Sequence, residues 1–328
     1  MSGAPFTYRR AGDVAEALAA GTGPGAAFLA GGTDLLPLWK ARAARPSQVV
    51  DISRLPLAEV RAAASGLRLG ALARLSEVAA HADVARGYPL VAEAIRASAS
   101  GQVRNMATVG GALLQRTRCA YFRNDALACN KREPGSGCGA LEGENRGHAI
   151  FGASEACVAT HPSDLAVALA ALDAEVETTG AGAGGARRIA VAELYRLPGA
   201  TPQADTVLAP GELITAVEVP ACAGARSTYL KVRDRASFEF AVVSVAAVLR
   251  VVDGRIVHVR LAAGGVAPRP WRLTASEASL AGRAPSAEAF ADAAALAVEG
   301  ARPLAHNGFK IELLRRAVAR ALRTAGEA

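Results

Sequence analysis

Four of the five cysteines in this chain fall within one polar, glycine-bearing stretch: Cys119, Cys129, Cys138 and Cys157. Nine, eight and eighteen residues separate them, whereas zinc ribbons and knuckles bring two thiolates to one ion on short hooks. A [4Fe–4S] cluster is larger, so a loop with irregular spacing can wrap around it. Two disulfides would be typical of an exported protein. The residues alone therefore leave a cluster, a zinc ion, disulfides and free thiols open.

Cations lie close to these cysteines in the sequence, at Arg116, Arg118, Lys131 and Arg132. Four thiolates around an oxidised [4Fe–4S] core leave a net negative charge, which these cations would offset. The backbone N–H groups of residues 135–137 would donate hydrogen bonds to sulfur. Such charges and hydrogen bonds raise the reduction potential of a cluster. The other interpretation of these cations is an ordinary solvated loop.

Two glycine pairs follow extended segments, in "FLAGGTDL" (28–35) and "ATVGGAL" (107–113). Paired glycines let backbone N–H groups approach an anion without interference from Cβ, and a helix N-terminus adds positive potential. Two such turns favour one diphosphate ligand held from both sides. The chain has no convincing GxGxxG fingerprint or Walker A loop.

A third element, "HPSDLAVAL", predicts a helix with Ser163 as its N-cap and Asp164 in its first turn. Asp164 is either an acid that complements the helix dipole or an acceptor for ribose or ribityl hydroxyls. His161, near Asp164, is predicted to make local hydrogen bonds rather than to act as a base.

The elements that position these residues change character along the chain. Residues 1–54 alternate short strand and helix signals, and residues 55–220 form a second, larger α/β region in which "ATVGGALL" predicts a turn beside a strand. "AGAGGA" (181–186) predicts a flexible surface turn, and "ACAGAR" (221–226) a linker that carries the inert thiol Cys222. Long antiparallel strands follow, joined by a tight turn at Asp253-Gly254, and then helices.

Composition excludes several classes of protein. The net charge is +7, but the basic residues are scattered and nearly all are arginine, which disfavours a nucleic-acid interface. We expect no membrane span, because no run of eighteen apolar residues occurs. "MSGAPFTYRRAG" lacks the pattern of a signal peptide, so we expect no export signal of the chain's own. Cytoplasm, or periplasm by co-export with a partner, both stay open.

These motifs resemble the FAD-binding subunit of the xanthine dehydrogenase (molybdenum hydroxylase) family over essentially the whole chain. Three further segments carry the same resemblance: "GELITAVEVP", "TYLKVRDRASFEFAVVSVAAVL" and "LAAGGVAPRP". The cysteine stretch is most similar to the bacterial periplasmic aldehyde oxidoreductase branch, which carries an extra [4Fe–4S] cluster. The implied fold class is α+β. A two-part α/β FAD-binding domain of the PCMH/vanillyl-alcohol-oxidase type (1–54 and 55–220, with the cluster loop at about 115–160) precedes an antiparallel sheet covered by helices (224–328), of the CO-dehydrogenase flavoprotein type.

The resemblance also implies which residues bind the cofactors. The FAD pyrophosphate, polar chain and flavin would be lined by Phe28, Leu29, Ala30, Gly31, Gly32, Thr33, Asp34, Leu35, Thr108, Gly110, Gly111, Asp164, Ile214 and Lys231. The [4Fe–4S] cluster would be bound by Cys119, Cys129, Cys138 and Cys157. This sequence departs from many relatives at Ala112, where they have Asn.

The implied function is electron transfer within a heterotrimeric molybdenum aldehyde oxidoreductase. Electrons would pass from [2Fe–2S] clusters on a small partner subunit through FAD to an external acceptor, while a large partner carries the molybdenum cofactor. The chain would be inactive alone on the organic substrate, and we expect no catalytic side-chain set. Two alternatives are a stand-alone flavin-dependent oxidase or dehydrogenase and a zinc-stapled scaffold subunit.

Overall fold

The computed structural model describes residues 5–180 and 185–327, so most of the turn predicted at 181–186 lies outside the described residues. The strands are β1 Thr7–Arg10, β2 Ala26–Leu29, β3 Gln48–Asp51, β4 Val60–Ala63, β5 Gly66–Gly70, β6 Glu175–Thr179, β7 Ala186–Ala190, β8 Leu213–Pro220, β9 Arg226–Val232, β10 Val243–Val252, β11 Arg255–Gly264 and β12 Trp271–Arg272. The helices are α1 Val14–Gly21, α2 Leu35–Lys40, α3 Leu75–Ala80, α4 Ala82–Gly87, α5 Pro89–Ala97, α6 Gly101–Arg104, α7 Val109–Leu113, α8 Ala120–Arg123, α9 Asp164–Ala171, α10 Val191–Leu194, α11 Thr274–Leu280, α12 Ala287–Leu296 and α13 Phe309–Glu327.

The first sheet is small and parallel, in the order β1-β3-β2. Parallel strands require crossover connections, and helix α1 lies in the one from β1 to β2, helix α2 in the one from β2 to β3. The side chain of Asp13 caps α1 by accepting a hydrogen bond from the backbone N–H of Glu16. The strand β2 ends at Leu29, and the first glycine pair follows after Ala30.

The second sheet is antiparallel, in the order β4-β5-β8-β6-β7. Its core is shared with α5 and α9. Every residue of α9 is buried, which agrees with its apolar sequence on all sides. The N-terminus of α9, and with it Asp164, is thereby held in the interior of the protein.

The third sheet is antiparallel, in the order β12-β11-β10-β9. Asp253 and Gly254 both adopt positive φ, 49° and 72°, as the predicted tight hairpin between β10 and β11 requires. Along β10, Val245 and Leu249 pack into one core with α11–α13, whereas Ala246 and Val248 face α9 and its neighbours. This alternation places the C-terminal sheet between its own helices and the second α/β region.

The predicted fold class is confirmed: a two-part α/β region precedes an antiparallel sheet covered by helices. One local prediction is wrong. "ATVGGALL" is not a turn beside a strand but the short helix α7, because the Thr108 side chain accepts a hydrogen bond from the backbone N–H of Gly111 and caps it. None of the helices in the described residues has the length and apolarity needed to cross a bilayer.

Candidate functional site

The first glycine turn, residues 30–34, leaves β2 and enters α2. Gly32 has a φ of 71°, a conformation that favours glycine. Within the described residues, no protein group accepts a hydrogen bond from the backbone N–H of Gly31, Gly32 or Thr33. Three backbone donors at the start of a helix therefore stay available for an anion.

The second glycine turn, residues 106–111, comprises the start of α7 and the residues just before it, and it packs directly against the first. A Cβ on Gly31 would lie 1.8 Å from the backbone oxygen of Met106, so only glycine allows this approach. The N–H of Gly110 donates to the backbone oxygen of Ala71 at 2.8 Å. Gly110 therefore fixes the position of the turn on the second sheet and has no N–H to spare for a phosphate.

A cleft of about 240 Å³ lies between these turns and β8. Its lining includes most of the predicted FAD residues: Phe28, Ala30, Gly31, Gly32, Thr33, Asp34, Leu35, Thr108, Gly110, Gly111 and Ile214. Leu29 does not line this cleft, and its predicted role stays a prediction. Its side chain lies beneath the turn, where a Cβ on Gly32 would meet it at 3.4 Å.

Two further cavities continue from this cleft. The second, of about 390 Å³, shares Thr33, Asp34 and Gly111 with it. The third, of about 540 Å³, shares Asp164 and Phe240 with the second. The three cavities lie in series, which suits an elongated ligand.

Asp164 lies at the junction of the second and third cavities, and two side chains hold its carboxylate. The hydroxyl of Tyr229 donates to Oδ1 at 2.7 Å, and Nζ of Lys231 lies 2.8 Å from Oδ2. Burial raises the pKa of Asp164, while the Lys231 charge opposes that shift. Lys231 lines none of the three cavities but contacts Asp164, and its predicted place near the flavin stays a prediction.

Two functional residues were missed by the sequence reasoning. Tyr229 lies two positions before Lys231 on β9, and strand alternation places both on one face, a signal that would have found it. Arg116 lines the first cleft and pairs with Asp205. The sequence reasoning assigned that cation to the cysteines instead.

Asp34 connects the first glycine turn to residues 115–160, hereafter the thiol segment. Its carboxylate lies 2.7 Å from the guanidinium of Arg118 and 2.9 Å from that of Arg123. It also accepts a hydrogen bond from the backbone N–H of Arg116 at 2.9 Å. These contacts hold the thiol segment against the wall of the first cleft.

The thiol segment contains four unbonded cysteines, and no disulfide joins any of them. Cys129 and Cys138 face each other on an antiparallel bridge. Burial raises the pKa of the Cys119 thiol to about 11, although the N–H groups of Phe122 and Tyr121 oppose that shift by hydrogen bonding to its sulfur. The charges of neighbouring cysteines raise the pKa of both Cys119 and Cys157, so the four sulfurs share one region.

The polar groups that were expected around the sulfurs have other partners. Arg116 and Lys131 both pair with Asp205. The N–H groups of Gly135 and Gly137 donate to Oδ1 of Asn130 rather than to sulfur.

Arg118 pairs with Asp34, and Arg132 donates to the backbone oxygens of Tyr121 and Phe122. The predicted cations are therefore present near the thiols, but structural hydrogen bonds and ion pairs already use them.

No single-ion metal site is found in the part of the chain that the structure describes: nowhere do three or more His, Cys, Asp or Glu side chains lie close enough to hold one ion. A zinc-stapled scaffold requires such a set. The four predicted ligands Cys119, Cys129, Cys138 and Cys157 do not form one.

Two family models match consecutive parts of the chain. A model described as the FAD binding domain in molybdopterin dehydrogenase matches residues 4–222. A model described as the CO dehydrogenase flavoprotein C-terminal domain matches residues 228–325. The chain belongs to the FAD-binding subunits of the molybdenum hydroxylase family. The family resemblance and the oxidoreductase class predicted from the sequence are thereby confirmed, as is FAD as the cofactor of this family's domain.

Individual relatives agree with this assignment. The chain is 49% identical over 319 residues to the aldehyde oxidoreductase FAD-binding subunit PaoB of Escherichia coli, covering 97% of each chain. It is 30% identical over 280 residues to the glyceraldehyde dehydrogenase medium chain of Sulfolobus acidocaldarius, covering 85% of this chain and 82% of the relative. Among solved structures, a chain of carbon monoxide dehydrogenase from Hydrogenophaga pseudoflava superposes with a TM-score of 0.78 at 27% identity, covering 100% of this chain and 99% of that one.

Neither the family descriptions nor the names of these relatives mention an iron–sulfur cluster. The [4Fe–4S] prediction is therefore not confirmed and stays a prediction. The predicted domain boundaries and the roles of the individual site residues likewise stay predictions.

Proposed function

We propose that this chain is the electron-transfer subunit of a heterotrimeric molybdenum aldehyde oxidoreductase, which receives electrons from [2Fe–2S] clusters of a small partner and delivers them to an external acceptor. The observation that carries the proposal is the cleft walled by both glycine turns and continuous with the cavity at Asp164. The 49% identity to an aldehyde oxidoreductase FAD-binding subunit supports the substrate class.

The first glycine turn would bind the FAD pyrophosphate. The available N–H groups of Gly31, Gly32 and Thr33 lie just before the N-terminus of α2, where the peptide dipoles favour negative charge. Arg116 also lines this cleft, and its guanidinium pairs with Asp205. The second turn contributes shape rather than donors, because the N–H of Gly110 is already used.

Asp164 would orient the polar chain of FAD. A carboxylate oxygen has more than one lone pair, so Asp164 can accept from a ligand hydroxyl while it retains Tyr229 and Lys231. Those two partners fix its direction, and burial excludes competing water. Bound FAD supplies the redox chemistry, whereas these side chains supply binding and orientation.

We further propose that the thiol segment binds one [4Fe–4S] cluster through Cys119, Cys129, Cys138 and Cys157. The donor set supports this, because the four thiols are unbonded and Cys129 and Cys138 face each other on an antiparallel bridge. Each corner iron of a cubane takes one cysteine, so the cluster does not need three ligands gathered on one ion.

The cofactor content of the purified full-length chain tests both proposals. We expect one FAD per chain, and about four iron and four acid-labile sulfide. Cys129→Ser should lose iron, whereas the matched control Cys222→Ser, outside the thiol segment, should retain it. Stoichiometric zinc without iron would favour the scaffold alternative.

Dependence on the partners tests the relay role. The chain alone should not oxidise aldehydes, and addition of the molybdenum and [2Fe–2S] subunits should restore turnover. A flavin-deficient variant of the complex should still let aldehyde reduce the [2Fe–2S] clusters while it loses multiple turnover. Aldehyde oxidation by the chain alone at an undiminished rate would establish the stand-alone flavoenzyme instead.

A further inference from the structure

A buried lysine of the last helix lies directly behind the third cavity. Lys310, in the first turn of α13, is fully buried. Its amine donates hydrogen bonds to the backbone oxygen of His148 at 2.9 Å and to that of Gly265 at 2.7 Å. Both acceptor residues line the third cavity, but His148 belongs to the thiol segment whereas Gly265 follows β11. One amine therefore joins two parts of the cavity wall.

Keeping this amine in the interior is unfavourable in itself. Burial, and to a lesser extent the charge of Arg146, lowers the pKa of Lys310 to about 7. Buried polar groups are tolerated where they have hydrogen-bond partners, and the two backbone oxygens meet that requirement. An apolar side chain at this position would leave two buried acceptors without their donor. The amine therefore constrains the position of both carbonyl groups.

Two fully buried asparagines hold the same part of the thiol segment from both directions. Oδ1 of Asn145, on the thiol segment, accepts a hydrogen bond from the backbone N–H of His306 at 2.9 Å. Nδ2 of Asn307 donates in the opposite direction, to the backbone oxygens of His148 at 3.2 Å and Ala149 at 3.3 Å. Because a shift of either segment would break bonds in both directions, these contacts fix the register between them.

Backbone hydrogen bonds cross the same junction. The N–H groups of Ile150 and Phe151 donate to the backbone oxygen of Val266 at 2.8 and 3.1 Å. These two bonds connect the segments that Lys310 joins, the thiol segment and the residues that follow β11. Their exchange with solvent therefore reports whether the junction is closed.

We propose that Lys310 and Asn307 are positioning residues for the third cavity: from the C-terminal domain they hold residues 146–148 against residues 264–265 and so set the width of that cavity. Neither residue lines the cavity, so they act through the backbone that does. The consequence for FAD rests on the proposed function, in which the ligand reaches Asp164 and the third cavity beyond it. Replacing either residue should weaken FAD binding although no direct contact is lost.

The first test is hydrogen–deuterium exchange in the full-length, flavin-free chain. Lys310→Met removes the donors but keeps a long, unbranched side chain. Peptides that contain Ile150 and Phe151 should exchange roughly tenfold faster, the equivalent of one lost buried hydrogen bond, while peptides from the first sheet stay unchanged. Lys310→Gln keeps N–H donors and should return exchange toward that of the unsubstituted chain. Arg320→Met, at an exposed position of the same helix, is the matched control and should have no effect.

Unchanged exchange at Ile150 and Phe151 would overturn the proposal, and so would equally faster exchange in the first sheet, which indicates general instability. Where Lys310→Met does not fold, Asn307→Leu provides the same test, because it removes the donors to residues 148 and 149.

The second test is the Kd for FAD in the same variants. Lys310→Met should raise the Kd roughly tenfold, and Lys310→Gln should recover part of that loss. Faster exchange with an unchanged Kd would overturn the role in cofactor binding. If the unsubstituted chain binds no FAD, the proposed function fails, whereas the exchange measurement still decides whether Lys310 and Asn307 hold the junction closed.

Discussion

The contact between the two glycine turns makes a testable prediction about FAD binding. In Gly31→Ala the new methyl carbon would start 1.8 Å from the Met106 backbone oxygen, whereas real Cβ atoms essentially never approach closer than 3.0 Å. Because the obstacle is backbone rather than a flexible side chain, the two turns must separate. The cleft that they enclose then changes its width where the pyrophosphate is proposed to lie.

The size of the effect follows from the cost of such overpacking. Inserting a methyl group into well-packed structure costs about 1–3 kcal/mol. If the free chain relieves this strain by letting the turns separate, FAD binding must bring the turns together again and so reintroduce the strain. Since about 1.4 kcal/mol corresponds to a tenfold change in affinity, the Kd for FAD should rise roughly 5- to 150-fold.

The assay is a fluorescence titration of the flavin-free chain with FAD, together with the flavin content of the purified protein. Gly87→Ala is the matched control, because Gly87 ends α4, lacks positive φ and would place its new methyl carbon in open space, with no obstructing atom within 4 Å. Thermal unfolding without FAD separates weaker binding from general instability. An unchanged Kd in a folded Gly31→Ala variant would refute the placement of FAD between the turns.

Three further predictions test the surrounding charges. Asp164→Asn should destabilise the protein by about 3–5 kcal/mol in urea unfolding, because it leaves Lys231 buried without a counter-charge, and the double variant with Lys231→Met should recover part of the loss. The Arg187 guanidinium lowers the pKa of Glu212 from 4.5 to about 2. This pair therefore stabilises the folded state above pH 4.5 and loses that contribution as the pH falls toward 2. Glu212→Gln should therefore reduce the pH dependence of the free energy of unfolding between pH 4.5 and 2. Asp34→Asn should speed alkylation of the thiol segment, measured by mass spectrometry, and an unchanged rate would contradict its anchoring role.

The parts of the fold that follow from local chemistry were predictable from the sequence. The hairpin at Asp253-Gly254 follows from turn residues between two apolar strands, and the structure has both in positive φ. The N-cap at Ser163 follows from its place before an apolar run, and its side chain accepts from the N–H of Ala166. Each of these features depends on a few neighbouring residues.

The parts that depend on distant partners were not predictable. Nothing in the local sequence shows that Asn130 accepts hydrogen bonds from the N–H groups of Gly135 and Gly137, or that Lys131 forms an ion pair with Asp205. The position of Lys231 behind Asp164 likewise depends on how β9 packs against its neighbours. Spacing along the chain identifies which residues are available for chemistry, whereas hydrogen-bond competition in three dimensions decides which are used.

The two candidate cofactor regions, the FAD cleft and the thiol segment, are linked by a short series of side-chain contacts. Asp34 belongs to the first glycine turn and pairs with Arg118, the residue immediately before Cys119. The guanidinium of Arg118 also lies over the ring of Phe240, 4.7 Å from its centroid, at the wall that the second and third cavities share. Because an ion pair with 13% and 25% of its side chains exposed is only weakly screened, it holds Cys119 at a fixed distance from the proposed pyrophosphate site. A single carboxylate in the FAD cleft, that of Asp34, therefore fixes the thiol segment against the proposed pyrophosphate site.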